Sequence, residues 1–378
     1  MRILVLTKRQ YTGRDLLSDR YGRMFEIPAQ LSALGHQVAG VALSYRSRGK
    51  VLPDATGGSV LWRSIDLFPG GLWRYPRQLR QTVAQFRPDV IWASSDVLHA
   101  LAGLAVKRVL GVPVVIDLYD NYESFGLSQI PGAVGLLRAA CRNADGLTLV
   151  GANLLGYAER NYRLPPGLPR LVLGNAVDDS LFRPIPKLLA RERLGVDSEA
   201  TLIGTAGALS VSRGFPVVLE AYGVLAQSMP SVQLLLAGPR DRQLDGLDHP
   251  GVRYLGILEP ERVPFFWSAL DVAIVPNIDT PFGRYCYPQK LQEVLACETP
   301  FVASAVGEVR LLLSAFPEFL ATAGSVSAMV QRLAGQLDKR CVLPRSFVSS
   351  WRGRALELEA FLSEVVSRSA AGAGSLSH

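Results

Sequence analysis

Residues 285–304, YCYPQKLQEVLACETPFVAS, read as a loop, a helix and a buried strand. Pro288 opens the helix, where a missing N–H costs nothing. Lys290 and Glu293 follow, three residues apart and on nearly one face. Unpaired N–H groups and the macrodipole make a helix start electropositive, so a lysine there works against helix stability. A local rule broken inside an otherwise consistent segment points to function. The position predicts a bound anion, above all a phosphate. Glu293, one turn on, is then placed to accept hydrogen bonds from the hydroxyls of a sugar carried by that phosphate. The competing reading is an i,i+3 ion pair on a solvated face.

The segments before this helix alternate: ATLIGTAGAL, FPVVLEAYGVLAQSM, VQLLLAG, ERVPFFWSAL and DVAIVP read as strand, helix, strand, helix, strand. The first half shows the same rhythm, from RILVLT and MFEIPAQLSALG through VPVVIDLYD to NLLGYAERNY. Such alternation predicts parallel sheets covered on both faces. The expected architecture is α/β, two doubly wound domains facing a cleft. The N-terminal domain is expected over residues 1–178 and the C-terminal over 179–345. A helix at about 346–368 would pack back on the first domain, and 369–378 read as a disordered tail. In such sheets ligands bind beyond the carboxyl ends of the strands, so the cleft between the domains is the expected site.

Composition narrows the classes. The chain of 378 residues is 48% hydrophobic and 19% charged, as expected of a globular protein. No apolar run approaches the roughly 20 residues of a membrane span, and MRILVLTKRQ does not read as a signal peptide. A cytoplasmic location is expected. Four cysteines without a CxxC pair indicate neither a zinc site nor a disulfide framework. Residues 1–100 carry 14 Lys/Arg against 7 Asp/Glu, while residues 101–378 carry 26 of each. A basic first quarter suits nucleic acid, an anionic membrane or an acidic substrate. The charge comes with no RNA-reading motif, so nucleic acid is not expected as a partner. Neither half shows GxGxxG after its first strand, which argues against a nicotinamide dehydrogenase.

Pro288, Lys290, Leu291, Glu293, Leu295, Ala296, Pro300, Val302, Ala303 and Ser304 together resemble the nucleotide-sugar motif of family-4 retaining glycosyltransferases, which have the GT-B fold. Five further stretches match in order: GHQV (35–38), FRPDVIWASS (86–95), GNAVDDSLFRP (174–184), GTAGALSVSRGFPVVLEAY (204–222) and VRYLGILEPERVPFFWSALDVAIVP (252–276). The resemblance implies that Glu293 binds ribose hydroxyls and that Arg213 replaces the lysine that contacts the diphosphate. It places Gly22 near the donor phosphates and the backbone at Leu258 against the base. Tyr285 stands where the E-x7-E motif has its first glutamate, Ala208 where an arginine is usual, and Glu298 where a glycine is usual.

The implied reaction is sugar transfer from a nucleotide-sugar co-substrate, with retention, no cofactor and no metal. The leaving diphosphate would be stabilised by Arg213, Lys290 and the helix start at Pro288. On the acceptor side, IDLYDNYES (116–124) puts Tyr119 and Asp120 at a strand end. Asp120 is expected to orient the acceptor or the transferred sugar, with a helix cap or turn as its other reading. Asp96 and His99 in SSDVLHA are weaker acceptor-side expectations, Asp96 reading more naturally as an N-cap. Trp73, Arg74, Tyr75, Arg77 and Arg80 interleave aromatic and basic residues on one short helix, which suits an anionic membrane surface; a solvated face over a buried aromatic is the alternative. The acceptor is expected to be a glycan or glycolipid, lipid-linked or of lipopolysaccharide type, met by a peripheral enzyme on the inner membrane face. A nucleotide-sugar epimerase and a non-catalytic nucleotide-sugar-binding partner remain the alternatives.

Overall fold

The computed structural model describes residues 1–11, 14–45, 55–57, 60–68, 70–241 and 249–374. It divides into two compact units, Met1–Gly174 with Trp351–His378, and Asn175–Ser350. In chain order, the first unit holds β1 (Arg2–Lys8), β2 (Gln10–Tyr11), β3 (Arg14–Asp15), α1 (Arg23–Ala33), β4 (Gln37–Ser44), β5 (Ala55–Gly57), β6 (Val60–Asp66), α2 (Gly71–Phe86), β7 (Val90–Ser94), α3 (Val97–Leu110), β8 (Val114–Leu118), α4 (Ala133–Asn143), β9 (Gly146–Leu149), α5 (Ala152–Asn161) and β10 (Arg170–Val172). The second holds α6 (Lys187–Leu194), β11 (Thr201–Ala206), α7 (Phe215–Ser228), β12 (Val232–Ala237), β13 (Val252–Tyr254), α8 (Val263–Ala269), β14 (Val272–Val275), α9 (Gln289–Ala296), β15 (Phe301–Ser304), α10 (Gly307–Leu312), β16 (Leu320–Ala321) and α11 (Val326–Lys339). The chain then returns to the first unit as α12 (Trp351–Gly374).

The first unit's large sheet runs β10-β9-β8-β7-β1-β4-β6-β5, parallel except for β5, which pairs antiparallel with β6. A separate antiparallel pair joins β2 and β3. The second unit's sheet runs β13-β12-β11-β14-β15-β16, all parallel. Consecutive strand residues there divide between two apolar cores. Leu202, Leu235 and Ala273 belong to one, and Ile203, Leu234 and Val272 to the other. Side chains alternate across a strand, so both faces of this sheet are buried, which is why its strands read as continuous apolar runs.

In each unit the chain leaves its first strand in one direction and later returns to continue in the other. The turning point lies between β1 and β7 in the first unit, and between β11 and β14 in the second. The carboxyl ends at such a point leave a crevice in which ligands bind.

Three points differ from the sequence reading: one strand it did not name and two expectations. The first unit contains β6, an apolar-rich strand unread in the sequence because Leu61, 56% exposed, sits between buried Val60 and Trp62. Trp62 pairs in register with Gly40 of β4, where a Cβ would lie 2.2 Å from the indole, so a glycine elsewhere in the chain makes room for it. Residues 369–374, expected to be disordered, continue α12; the rest of the expected tail, 375–378, lies outside the described residues. That helix packs on α1, and its Phe361 and Val365 come within 3.0 and 3.1 Å of where a Cβ on Gly146 would stand. Tyr75 is the third, taken up with the first unit's polar groups below.

Candidate functional site

The second unit's turning point is bounded by the ends of β11 and β14. β11 runs out at Ala206 into Gly207, whose φ of +101° favours glycine. A Cβ on Gly207 would stand 3.5 Å from both Cε and Nζ of Lys290. The lysine of α9 is therefore folded back over the end of β11. Gly238, after β12, closes on the same place: a Cβ there would lie 2.2 Å from the Gly207 carbonyl oxygen. Two glycines at two strand ends keep this corner open for a close approach.

α9 begins at Gln289 with Pro288 as its cap residue, and no side chain caps it. Lys290 is half-buried. Burial first, and the Arg213 guanidinium second, pull its pKa down to about 8 against the opposing pull of Glu293. Two cations are thus held within electrostatic reach of each other at an uncapped helix start.

Glu293 is 9% exposed, and its Oε2 accepts a hydrogen bond from the Trp267 indole at 3.1 Å. Trp267 is fully buried on α8, so the carboxylate is oriented by a rigid donor. On the same helix, Gln292 donates to the Tyr287 hydroxyl at 2.8 Å and accepts from Ser349 N at 2.7 Å, while Gln289 donates to the Ala176 carbonyl at 2.9 Å. These bonds fix α9 to the segments at both ends of the unit. Leu258, 8% exposed, keeps its side chain in the core, and Tyr285 is half-buried in the loop before α9. Lys290, Glu293, Arg213 and Pro288 therefore gather around one corner. Gly207, Trp267 and Phe282 belong there too and were not singled out in the sequence. A glycine directly after a strand is a signal that Gly207 shares with Gly238, whereas Trp267 and Phe282 carry none.

In the first unit, Gly22 caps α1 with φ +84°, and open space surrounds the place of its missing Cβ. Arg23 follows and is 1% exposed. It donates to Asp117 Oδ1 at 2.6 Å and to the Leu173 carbonyl at 2.7 Å. Asp117 also accepts from Ser94 Oγ and Thr148 Oγ1, each at 2.6 Å. Tyr119 stacks on the Arg23 guanidinium, 5.0 Å from it, and meets Tyr11 at 4.8 Å between ring centroids. Asp120 is 6% exposed; its Oδ2 accepts from the Tyr11 hydroxyl at 2.6 Å and its Oδ1 from Asn121 N at 2.9 Å. The carboxylate thus ties the β8 end to the β2 segment.

Asp96 caps α3, accepting from Leu98 N at 3.2 Å. Burial works to raise its pKa, but hydrogen bonds from His99 and Tyr45 and the charge of Lys8 hold it below the usual range. His99, expected on the acceptor side, is 0% exposed, with Nδ1 3.1 Å from Asp96, so its ring lies in the interior rather than at the surface. The three-residue step from the cap turns it inward. Tyr75, expected at a membrane surface beside Trp73, is 8% exposed, and its ring meets His99 edge-on at 6.5 Å. Residues two apart on a helix point to nearly opposite sides, so one of the two aromatics had to face in. Trp73, at 86%, and Arg74, Arg77 and Arg80 are exposed.

Two doubly wound units, each with a mainly parallel sheet whose strand order reverses at a turning point, are the architecture of the GT-B class. The solved structures agree. A sucrose-phosphate synthase from Thermosynechococcus elongatus superposes with TM-score 0.71 at 16% identity over 100% of this chain and 99% of that one. Anabaena HepE in complex with UDP gives 0.67 at 19% identity over the whole of both chains. Residues 23–175 match the glycosyl transferase 4-like domain, and residues 200–339 match glycosyl transferases group 1. The chain belongs to this glycosyltransferase family. D-inositol 3-phosphate glycosyltransferase of Xylanimonas cellulosilytica is 30% identical over 203 residues, 50% of this chain and 45% of that protein. The 2-deoxystreptamine N-acetyl-D-glucosaminyltransferase of Streptomyces fradiae is 26% identical over 279 residues, 68% and 63% respectively. The chain thus spans about half to two thirds of the length of these curated relatives.

Proposed function

We propose that the chain transfers a sugar, with retention, from a nucleoside-diphosphate sugar to an acceptor hydroxyl. The observation that carries this reading is Lys290 folded against Gly207, with Arg213 close by and Glu293 one turn further along α9. In this reading the two cations and the α9 start take the diphosphate, and no metal is needed to meet the leaving group's charge. Glu293, oriented by Trp267, takes the ribose hydroxyls, and the backbone near Leu258 meets the base. The acceptor oxygen bonds to the anomeric carbon on the face from which the diphosphate departs. The acceptor proton passes to a phosphate oxygen. The first unit supplies the acceptor side through the β8 end, with Tyr119 exposed enough for contact and Asp120 holding the loop. The test is nucleotide release from a panel of uridine, guanosine and adenosine diphosphate sugars; a panel that yields no acceptor-dependent release with any donor sinks the reading.

A glycan or glycolipid acceptor at a membrane surface is the favoured arm, supported by the exposed Trp73, Arg74, Arg77 and Arg80 of α2. Among the described residues no helix is long and apolar enough to cross a membrane. Basic residues near an anionic surface contribute roughly 1 kcal/mol each. Binding to anionic vesicles is therefore expected at low salt, falling as salt rises and lost when the three arginines become serine. Equal sedimentation with neutral vesicles would remove this arm. Relatives named for inositol 3-phosphate and 2-deoxystreptamine favour a second arm, a free polyol acceptor, and both compounds belong in the panel.

The Lys290 pKa of about 8 gives a pH signature. The free ammonium loses its proton as pH rises through that value, whereas a bound diphosphate favours the charged form. Donor affinity is expected to fall as pH rises through about 8, with proton uptake on binding. Calorimetry in buffers of different ionisation enthalpy measures the uptake, and Lys290→Arg is expected to abolish it.

A further inference from the structure

Arg213 closes a single turn between β11 and α7, with Gly214 next at φ +78°. Among the described residues it forms no ion pair with a carboxylate, and its half-buried guanidinium lies over the Phe282 ring, 4.2 Å from the centroid. Phe282 belongs to another connection, the loop from β14 to α9. That loop is firmly built. Asn277 donates through Nδ2 to the Gly283 carbonyl at 3.3 Å and accepts from Ile278 N at 3.0 Å. Gly283 N donates to Thr280 Oγ1 at 3.1 Å, and Cys286 N to the Phe282 carbonyl at 3.0 Å. The two connections also touch through glycine: a Cβ on Gly214 would stand 3.0 Å from Ile278 Cγ2 and 3.2 Å from the Asn277 carbonyl. Two like charges near one another repel, so an unrestrained arginine would swing away from Lys290 into solvent. An aromatic face opposes that by attracting the guanidinium.

We propose that Phe282 is a positioning residue for the donor diphosphate, its ring holding the Arg213 guanidinium beside Lys290 so that two cations meet one ligand. This rests on the donor reading of the second unit. The ring makes no contact with the reacting atoms; it acts through Arg213, and it fixes the arginine before the ligand arrives rather than after.

The experiment is calorimetric binding of uridine, guanosine and adenosine diphosphates to the full chain, followed by a double-substitution cycle with whichever nucleotide binds. Phe282→Leu keeps an apolar side chain in the loop but removes the aromatic face. It is expected to weaken diphosphate binding on the order of threefold to tenfold. The matching monophosphate, which offers less charge to the arginine, should lose less. Phe282→Tyr should bind as the unchanged protein does. In an Arg213→Ala background, Phe282→Leu should add no further loss, since its effect runs through the arginine. An equal loss in that background shows that the ring merely packs the loop and overturns the proposal. So does unchanged binding by Phe282→Leu while Lys290→Ala loses affinity, an outcome that leaves the donor reading standing. If Lys290→Ala binds the diphosphate as tightly as the unchanged chain, the donor reading fails, and the role of Phe282 fails with it.

Discussion

Lys290→Ala is expected to lower the rate of sugar transfer by about 10²- to 10³-fold, the cost of removing one preorganised partner of a developing anion. The loss should appear in kcat as well as in donor affinity, because the diphosphate gains charge as the glycosidic bond breaks. Folding should not suffer. The ammonium is held in a site that disfavours its charge, so removing it relieves a cost in the free protein. Glu293→Ala is expected to behave differently. It leaves the buried Trp267 indole N–H without its 3.1 Å partner, and it should weaken donor binding strongly with a modest drop in thermal midpoint. Steady-state kinetics with the donor identified by the panel, alongside thermal unfolding, separates the two. Wild-type rates and affinities in both variants would show that the corner of β11 and α9 is not the donor site.

The second large effect concerns stability. Arg23 and Asp117 form an ion pair at 2.6 Å with both side chains 0% exposed. Asp117 accepts three hydrogen bonds from side chains, so its charge is compensated; among the described residues the two terminal nitrogens of Arg23 donate to Asp117 and the Leu173 carbonyl. Asp117→Ala strands a guanidinium in the core and is expected to cost about 3–5 kcal/mol. The paired replacement Arg23→Met with Asp117→Leu should recover most of it, since a buried pair is often no better than well-packed apolar groups. Calorimetry should resolve which transition moves, because two units need not melt together. A shift equivalent to less than about 1 kcal/mol for Asp117→Ala would mean that water reaches the pair.

Much of this molecule was legible one segment at a time. Strands such as LLLA and VAIV in the second unit are apolar throughout because both faces of their sheet are buried, and that pattern survives without any partner in view. The same holds for Lys290 at the start of α9, where the conflict between a cation and the helix dipole is local. Failures came where a residue's meaning depended on something distant. The strand at 60–66 reads poorly until Gly40 is seen to make room for Trp62. Tyr75 has both a surface and a buried reading in the sequence and His99 an acceptor-side one; only the packing of α2 and α3 turns each ring toward the other.

The alternation of strands and helices, the repeat of that pattern in two halves, and a cation and a carboxylate at the head of one helix are all written in the amino-acid order. Periodicity, glycine and proline placement and helix-end electrostatics act over a few residues, so they are written in neighbouring positions. It takes the folded chain to put Lys290 over Gly207, to rest Arg213 on Phe282, to aim Glu293 by Trp267, and to turn the Asp117 oxygens to Arg23, Ser94 and Thr148. Each of these joins residues from separate connections or strands. Strand order brings them together, and burial then makes their charges and hydrogen bonds count, because a low-dielectric interior strengthens a matched pair and penalises an unmatched one.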